Sequence, residues 1–470
     1  MEVLQRTANR GSISDGGYAI ANSLLLENSD NDKNFNHQQI YTGGDDQWTA
    51  KANEGTNTKK ATISMWIKRS RLSPSSGDGQ HMRLFQFQTG GNATALYLTL
   101  DKINMYDDVT SAYLISNRLL RDTSAWYHIV LAMDSTQSTA ANRVKIYVNG
   151  VQETSWSTED YGNQNADLAM FSTANVTWYL GCAGSQNGGY ALDGYMAEVH
   201  FVDGAQKAAS DFGEFDDSGI WKPKEYTDSY GTLGAYYNFE DTSNNRFNDE
   251  SGNGNYMDNR GGVFEGGIAT DTPTNNFCTW NVLPLYNSTI FSFPNGATEV
   301  KRTSGTGWTT AYSSIGANKG KWYAEFQVLT SGNYLMNGNV PLAKIQSVSA
   351  TQFYLGSEAS AAAGAGYYSS GTTGNDYIYH DGGATESGVV TSAGDIISVA
   401  MDCDNNKIHF AVNGEYTNSS NPATNTNGFN MTDDYQFFAH ATLTGDQVFK
   451  NNFGGFTTIS ISSGASDANG

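Results

Sequence analysis

A strand–turn–strand pattern that occurs twice restricts the fold of this chain more than any other feature. Residues 126–150 and 395–414 each contain an apolar segment ending in Ala-Met-Asp, a polar turn, an alternating segment and Val-Asn-Gly. The residues on the apolar face are Val144, Ile146 and Val148 in the first copy, and Ile408, Phe410 and Val412 in the second. A period of two is typical of strands with one buried face, and the closing Asn-Gly pairs favour the positive φ of hairpin turns. Two separate antiparallel domains are the simplest interpretation.

The rest of the sequence favours the same class of fold. Alternating segments recur on both sides of the chain's middle, and no segment has the pattern of a long amphipathic helix. A chain of 470 residues accommodates two sandwiches of roughly 180–230 residues each. Its 51 glycines and 7 prolines suit many tight turns between short strands. We therefore predict an all-β protein with two antiparallel β-sandwich domains in tandem.

Residues 242–276 interrupt the alternating pattern, because they are rich in Asn, Gly and Asp and contain few aliphatic side chains. This composition is typical of a linker without a core of its own. It would run as an extended strap across one module or act as a hinge, and we expect a cut near Gly261-Gly262 to release two soluble domains. The predicted parts are an N-terminal arm (1–21), a first sandwich (22–241), the linker (242–276), a second sandwich (277–456) and a C-terminal tail (457–470).

The charge and the lack of long apolar runs argue against several classes of function. A net charge of −21 disfavours nucleic-acid binding, which requires basic patches, and adhesion to anionic membrane surfaces. No apolar run approaches the roughly 20 residues that span a bilayer, so we predict no membrane insertion. The first residues contain no apolar signal segment, so we expect a protein made in the cytoplasm. The cysteines, Cys182, Cys278 and Cys403, are spaced too widely to predict a disulfide framework or a zinc site.

Two sets of motifs resemble known families. Residues from about 22 to 241 resemble a laminin G-like module of the concanavalin A-like class, through SMWIKRS, WYHIVLAMD with VKIYVNG, and LDGYMAEVHFVDG. Residues from about 277 to 456 resemble a SPRY domain, through GKWYAEFQV, GDIISVAMDCDNNKIHFAVNGE and NNFGG. These resemblances imply that both sandwiches are jelly rolls of the concanavalin A-like class.

The order of the modules carries a third resemblance. A laminin G-like module, a DESGNGN segment, the junction DTPTNNF at 271–277 and a SPRY module together are similar to virion appendage proteins of marine bacteriophages, especially those of cyanobacteria. The resemblance implies a structural protein located in the virion, as a tail fibre, a head fibre or a decoration, that binds a host surface glycan or protein during adsorption. It also implies other virion proteins as partners and a homotrimer, because phage fibres of this kind are commonly trimeric and multivalency compensates weak single sites.

Two alternative functions stay open from the sequence. A glycan-degrading depolymerase on a concanavalin A-like fold would place carboxylates along one strand as Glu-x-Asp-x-x-Glu. The nearest match, Glu214-Phe215-Asp216-Asp217, lacks the final Glu because position 219 is Gly, and neither H-E-x-x-H nor G-x-S-x-G occurs. We therefore predict no catalytic residues and a protein that is not an enzyme. The other alternative, an exported bacterial adhesin, would require an export signal upstream.

Residues 366–383, GYYSSGTTGNDYIYHDGG, form the candidate ligand site. Glycan binding needs aromatic rings for the apolar face of a sugar and polar groups for its hydroxyls. The candidate ligand-binding residues are Tyr367, Tyr368, Tyr377, Tyr379, His380 and Asp381. The alternative is that alternate tyrosines pack the interior of the sandwich.

Two further sites are predicted elsewhere. Laminin G-like modules often hold calcium with carboxylates and carbonyls on rim loops, so the resemblance makes calcium the candidate cofactor. Asp134 and Asp193 stand at predicted strand edges and are its candidate ligands, with ordinary turn chemistry as the alternative. Arg6 and Arg10 are basic residues in an otherwise acidic protein, so they are the candidates for docking the arm on the virion. The alternative for the arm is a frayed terminus.

Overall fold

Antiparallel strands account for nearly all of the regular structure. The structure is a computed structural model of the chain, and it describes residues 18–26, 40–41, 55–73, 81–89, 91–171, 177–183, 190–240, 246–259, 267–282, 290–305, 307–328, 334–347, 353–370, 376–443 and 448–454. The chain divides into two compact units, residues 1–276 and residues 277–470. Arg6, Arg10 and the predicted tail lie outside the described residues.

Strands β1 to β19 belong to the first unit. Their bounds are β1 Ser23–Leu26, β2 Ile40–Tyr41, β3 Lys60–Arg69, β4 His81–Thr89, β5 Asn92–Thr99, β6 Lys102–Asp107, β7 Ala112–Leu119, β8 Trp126–Asp134, β9 Val144–Val148, β10 Val151–Gln152, β11 Trp156–Asp160, β12 Thr177–Leu180, β13 Gly194–Asp203, β14 Gly213–Phe215, β15 Trp221–Pro223, β16 Ala235–Tyr237, β17 Arg246–Phe247, β18 Met257–Asn259 and β19 Ile268–Ala269. One sheet has the order β10-β9-β8-β3-β13-β1-β19, with β16 beside β13. The other has the order β11-β7-β6-β5-β4-β12-β2-β18-β17, and β14 pairs separately with β15.

Strands β20 to β33 and two short helical segments belong to the second unit. Their bounds are β20 Phe291–Ser292, α1 Pro294–Ala297, β21 Glu299–Arg302, β22 Thr309–Ala317, β23 Lys321–Gln327, β24 Leu335–Pro341, α2 Leu342–Ser347, β25 Ala365–Ser369, β26 Tyr377–His380, β27 Gly383–Glu386, β28 Ile396–Asp402, β29 Lys407–Val412, β30 Glu415–Tyr416, β31 Phe429–Asn430, β32 Gln436–Thr442 and β33 Val448–Asn452. One sheet has the order β20-β21-β33-β23-β28-β29-β30, with β31 beside β29. The other has the order β22-β32-β24-β25-β26-β27.

Each unit buries its core between its two sheets. In the first unit Met65 of β3 and Phe87 of β4, from opposite sheets, belong to one buried cluster. In the second unit Val399 of β28 and Tyr367 of β25 do the same. The prediction of an all-β protein with two antiparallel sandwiches in tandem is confirmed.

The repeated sequence pattern forms the same hairpin in both units. Strand β8 pairs with β9, and β28 pairs with β29, both antiparallel. The φ angles of Asn149 and Asn413 are 47° and 50°, so each Asn-Gly turn has the left-handed backbone that Asn and Gly tolerate. The second hairpin differs because both of its faces are covered. Gly428 lies so close to His409 that a Cβ at position 428 would stand 2.6 Å from the imidazole.

The described part of residues 242–276 is integrated into the first unit. We call residues 246–259 and 267–276 the strap. Its strands β17 and β18 extend one sheet beyond β2, and its strand β19 pairs with β1 in the other sheet. Phe247 and Met257 are fully buried in the core of the unit. The boundary between the units therefore falls at residues 276 and 277, not at 241, while Gly261 and Gly262 lie outside the described residues.

The polar residues of the strap are used for hydrogen bonds rather than for solvation. The carboxylate of Asp249 accepts hydrogen bonds from the backbone N–H groups of Tyr236 at 2.9 Å and Asn255 at 2.8 Å. The side-chain amide of Asn253 donates to the carbonyls of Gly231 and Gly234, each at 2.9 Å. Buried or half-buried backbone groups require such partners, so an Asn- and Asp-rich segment is suited to this position.

A buried ion pair anchors the C-terminal end of the strap. Nζ of Lys68 lies 2.6 Å from Oδ2 of Asp271, and the two side chains are 0% and 2% exposed. The indole N–H of Trp126 donates to the other carboxylate oxygen at 2.9 Å. Lys68 also donates to Oδ1 of Asn276 at 2.8 Å. The junction motif at 271–277 thus has a structural role, because it fastens the strap to β3 and β8.

Candidate functional site

The outer face of the β22–β27 sheet in the second unit carries a group of neighbouring aromatic rings. Adjacent residues on a strand point to opposite faces, so Tyr367 and Tyr368 have different environments. Tyr367 is fully buried, and its hydroxyl donates to Ser387 Oγ at 3.2 Å. Tyr368 is half-buried on the opposite face. The register places Tyr377 directly across from Tyr368, and places Tyr379 across from Gly366.

Three further rings complete this group, which we call the aromatic surface. Its members are Trp308, Tyr334, Tyr354, Tyr368, Tyr377 and Tyr379. The ring centroids are separated by 5.7 Å for Trp308 and Tyr354, 6.1 Å for Trp308 and Tyr368, 6.3 Å for Tyr334 and Tyr368, 5.7 Å for Tyr354 and Tyr379, 5.5 Å for Tyr368 and Tyr379, and 6.5 Å for Tyr377 and Tyr379. Tyr334 is 42% exposed and the other rings are half-buried. The result is a continuous array of amphipathic rings on one sheet face.

A glycine allows Tyr354 to reach this array. Residues 353–356 cross the outer face of the sheet, where the carbonyl of Phe353 accepts a hydrogen bond from Thr310 Oγ1 of β22 at 2.7 Å. The next residue but one, Leu355, packs against Gly366 of β25. A Cβ at position 366 would stand 2.7 Å from the Cβ of Leu355, so only glycine leaves room for this crossing. Tyr354 is thereby held beside Trp308 and Tyr379.

The rings rest on an apolar layer and keep their hydroxyl protons at neutral pH. Trp308, Tyr354, Tyr368 and Tyr379 pack against a buried cluster that includes Met336. Burial and the neighbouring tyrosines raise the pKa of Tyr368 to about 12. Burial likewise raises the pKa of Tyr379 above its ordinary value. These hydroxyls therefore act as neutral donors and acceptors rather than as phenolates.

The six residues predicted as a ligand site do not all lie together. Tyr368, Tyr377 and Tyr379 share the aromatic surface, whereas Tyr367 points into the core. His380 faces away from Tyr379: its ring lies 4.5 Å from that of Phe429, and its Nε2 contacts Thr385 Oγ1 at 2.9 Å. Asp381, with φ of 49°, occupies the turn that follows β26 and lies 3.3 Å from His380 Nδ1. Three of the six predicted residues, Tyr368, Tyr377 and Tyr379, therefore belong to the aromatic surface.

Sequence reasoning missed Trp308, Tyr334 and Tyr354. Each is the aromatic residue of a different segment: Trp308 immediately precedes β22, Tyr334 immediately precedes β24, and Tyr354 follows α2. Only the sheet order, which places β22, β32, β24 and β25 side by side, brings them together. Two of the three, Trp308 and Tyr334, have one feature in common, because each directly precedes a strand of this sheet.

The predicted calcium ligands lie at opposite ends of one strand. Asp134 is paired with Lys60 at the start of β3, and its carboxylate lies 3.1 Å from Lys60 Nζ. Asp193 precedes Gly194, which is paired with Arg69 at the end of β3. The Oδ2 atom of Asp193 lies 2.7 Å from Nε of Arg71. At 3.3–3.4 Å per residue the two carboxylates are roughly 30 Å apart. The expectation that they converge is wrong, because the full length of β3 separates them.

Ser64 and His128 form a buried hydrogen-bonded pair whose proton position fits a structural role rather than a catalytic one. Ser64 Oγ lies 2.8 Å from His128 Nε2, and the indole N–H of Trp221 donates to His128 Nδ1 at 3.0 Å. Because indole only donates, Nδ1 is the acceptor and Nε2 carries the proton of the neutral ring. Burial lowers the pKa of His128 to about 3, so the ring stays neutral. With its proton on Nε2, the ring does not accept the proton of Ser64, as a nucleophile's base must.

The described residues contain neither a metal-binding cluster of side chains nor a membrane-spanning helix. No three His, Cys, Asp or Glu side chains among them are grouped closely enough to hold a metal ion. None of the helices in the described ranges is long and apolar enough to cross a membrane.

Comparisons with known proteins identify the class of the first unit. Residues 42–210 match the family model described as the concanavalin A-like lectin/glucanases superfamily. The first unit thus contains a concanavalin A-like module of the laminin G-like type, as its motifs predicted. No curated protein sequence matches the chain.

Solved structures similar to the chain include one pentraxin and several SPRY domains. A native heptameric SAP-like pentraxin from Limulus polyphemus is 12% identical, with 41% of this chain and 80% of that chain covered and a TM-score of 0.28. The SPRY domain of human HERC1 is 15% identical, with 34% and 91% covered and a TM-score of 0.25. A second human SPRY domain is 14% identical, with 34% and 95% covered and a TM-score of 0.25. TM-scores this low add nothing to the description of the fold that the sheet order already gives.

Proposed function

We propose that this protein is a non-enzymatic component of a bacteriophage particle that binds a host surface glycan through the aromatic surface of its second unit. The observation that carries the proposal is the continuous array of six rings on one open sheet face. A pyranose presents an apolar face to such rings and hydroxyls to the groups around them. Tyrosine and tryptophan lose little conformational freedom on binding, because each has only two side-chain torsions.

Polar groups at the edge of the array suit the hydroxyls of a sugar. Glu386 of β27 lies directly across from Tyr377, on the same face of the sheet. The protonated hydroxyls of the tyrosines add donors within the array. Sugar binding needs this combination of stacking rings and convergent hydrogen-bonding groups, and an apolar protein interface does not require it.

The assignment to a phage particle is supported by the resemblance in module order and by the DTPTNNF junction. The junction is a structural anchor in the first unit, through Asp271 and Asn276. The proposed partners are other virion proteins and the host glycan or receptor, and the proposed assembly is a homotrimer. The proposed absence of catalysis agrees with the proton position in the Ser64–His128 pair.

Alanine substitution of Tyr334, the exposed ring, and of Trp308, which is half-buried, tests the glycan site. We expect Trp308→Ala and Tyr334→Ala each to weaken binding to cyanobacterial envelope polysaccharide roughly 10–100-fold, because stacked aromatic anchors are worth about 2 kcal/mol or more. Isothermal titration with the full protein measures the change. Tyr435→Ala is the matched control, because Tyr435 is an exposed tyrosine of the same unit, 37% exposed, that lies away from the aromatic surface. It precedes the first residue of β32, whereas Thr442 at the other end of β32 pairs with β22 and β24 near Trp308 and Tyr334.

Equal affinity of all three variants would remove the aromatic surface as the site. The release of new reducing ends from the polysaccharide during the same incubation would replace a binding protein with a depolymerase. Both outcomes are read from one set of samples, provided that each variant melts at the temperature of the unmodified protein.

The composition of purified phage particles tests the location and the oligomeric state together. We expect quantitative mass spectrometry to find the chain in particles, with a copy number that is a multiple of three for each appendage. The expectation follows from the resemblance to trimeric phage fibres. Absence from particles would contradict the virion assignment, and a copy number that three does not divide would contradict the trimer.

A further inference from the structure

An arginine lies between tyrosines on the outer face of the β4–β7 part of the first unit's sheet. Arg83 of β4 faces Tyr97 of β5 in the register of the sheet. Its Cζ lies 4.1 Å from the ring centroid of Tyr97 and 5.3 Å from that of Tyr106 on β6. Tyr113 of β7 faces Tyr106 and is 39% exposed. The four side chains form a row across four neighbouring strands, with the guanidinium held against aromatic faces.

Several polar atoms of this row have no hydrogen-bond partner. Nε and Nη1 of Arg83 are buried and unpaired, and so is the side-chain carbonyl oxygen Oε1 of Gln86. The amide nitrogen of Gln86 is used, since it donates to Gln88 Oε1 at 3.0 Å. Buried polar atoms without partners are rare and costly in folded proteins. Strand β4 therefore presents two hydrogen-bond donors of the Arg83 guanidinium and one acceptor, Gln86 Oε1, that are not used within the protein.

The spacing of the Arg83 and Gln86 side chains suits a small polar ligand. Arg83 faces Tyr97 and Gln86 faces Ala95, so the two side chains are about 7 Å apart along β5, at 3.4 Å per residue. Arg83 itself is partly exposed, but Nε and Nη1 are covered, so binding through them requires the guanidinium to move away from the Tyr97 ring. The guanidinium fork matches two oxygens of a carboxylate or sulfate, which a lysine does not.

The charge of this row comes from Arg83. His81, the other titratable base beside it, lies 5.6 Å from the Tyr97 ring and 2.6 Å from Thr99 Oγ1. Burial and then the charge of Arg83 lower the pKa of His81, so the imidazole is neutral at pH 7. The carboxylate of Asp108 near Tyr106 accepts a hydrogen bond from the N–H of Ala93 at 2.8 Å. Arg83, together with Lys102 on the same face of β6, thus places positive charge on this sheet face of a protein with a net charge of −21.

We propose that this row is a binding site for an acidic saccharide, with Arg83 holding the carboxylate or sulfate group and Gln86 Oε1 accepting a sugar hydroxyl. Tyr106 and Tyr113 supply the faces on which the ring packs. The site lies in the first unit and does not depend on the glycan site proposed in the second. It selects against neutral sugars, because they leave the guanidinium donors unpaired.

Titration of the full protein with defined oligosaccharides tests the proposal. The probes are tetragalacturonate, a sulfated heparin tetrasaccharide and neutral maltotetraose, each measured by calorimetry. We expect at least one acidic probe to bind and maltotetraose not to compete with it, and the two acidic probes distinguish carboxylate from sulfate recognition. Arg83→Gln should weaken that binding about tenfold or more, and Arg83→Lys should recover only part of it, because it keeps the charge without the fork.

Two control variants separate this site from general charge and from the aromatic surface. Lys222→Gln removes one positive charge from the exposed β15 and should leave acidic binding unchanged. Tyr334→Ala should also leave it unchanged, so the two binding proposals succeed or fail separately. Absence of binding by both acidic probes, displacement of the bound acidic probe by maltotetraose, or an Arg83→Gln protein that melts normally and binds the acidic probe normally would each overturn the proposal.

Discussion

A chain cut back to residues 1–240 is expected not to fold, whereas residues 1–276 should fold as a stable unit. The shorter fragment loses the strap, including β17, β18 and β19. Burial of Phe247 and Met257, both fully inaccessible, stabilises the unit by about 1.5–3 kcal/mol for each side chain. The buried Lys68–Asp271 pair is lost as well, which leaves Lys68 uncompensated. Together these losses approach the whole stability of an ordinary domain, about 5–15 kcal/mol.

Circular dichroism and thermal melts of the two fragments measure this difference. Residues 277–470 serve as the matched control, because that fragment retains its complete sheets and should melt cooperatively by itself. A cooperative transition in residues 1–240, at the temperature of residues 1–276, would mean that the strap is not part of the core. Residues 242–276 would then be a linker of the kind that their composition predicted.

The second large effect is expected from Asp271→Ala. Removing the carboxylate leaves the ammonium of Lys68 buried without its charge partner and the indole N–H of Trp126 without its acceptor. Breaking a buried pair from one side costs about 3–5 kcal/mol. For a unit of this size we expect the melting temperature to fall by roughly 10 °C. Asp228→Ala is the control, because Asp228 pairs with Lys207 through a side chain that is 62% exposed, and it should leave the melting temperature unchanged.

A double variant shows whether the cost arises from the unpaired charge. Lys68→Met combined with Asp271→Leu replaces both ions with apolar groups of similar volume, and such replacements are often neutral. We expect the double variant to recover most of the stability that Asp271→Ala loses. A double variant that is less stable than Asp271→Ala would contradict this reason and indicate that the hydrogen bond from Trp126 dominates.

The hairpins could be predicted from the sequence because their signals are local. The alternation of β9 and the Asn-Gly turn are both contained within a few residues, and the structure has them in that form. The strap could not be recognised from composition, since solvated linkers and polar segments that satisfy backbone groups use the same residues. Asp249 and Asn253 look like linker residues until their partners near residues 231–236 are known.

The candidate sites show the same division between local and long-range information. Tyr368, Tyr377 and Tyr379 lie within one short segment of the sequence, so a local pattern was enough to name them. Trp308 and Tyr354 join them only through the sheet order and the crossing over Gly366. Asp134 and Asp193 could not be seen to lie apart for a related reason, because their positions depend on the length of β3 and on which strands pair with its two ends.

The most direct test of the central claim is the binding of the separate units to host cells. Fluorescently labelled fragments 1–276 and 277–470 are titrated onto cells of the cyanobacterial host in the presence and absence of soluble envelope polysaccharide. The account predicts saturable binding of residues 277–470 that the polysaccharide displaces and that Trp308→Ala weakens roughly 10–100-fold. If residues 277–470 do not bind, or if Trp308→Ala leaves their binding intact, the aromatic surface is not the receptor site.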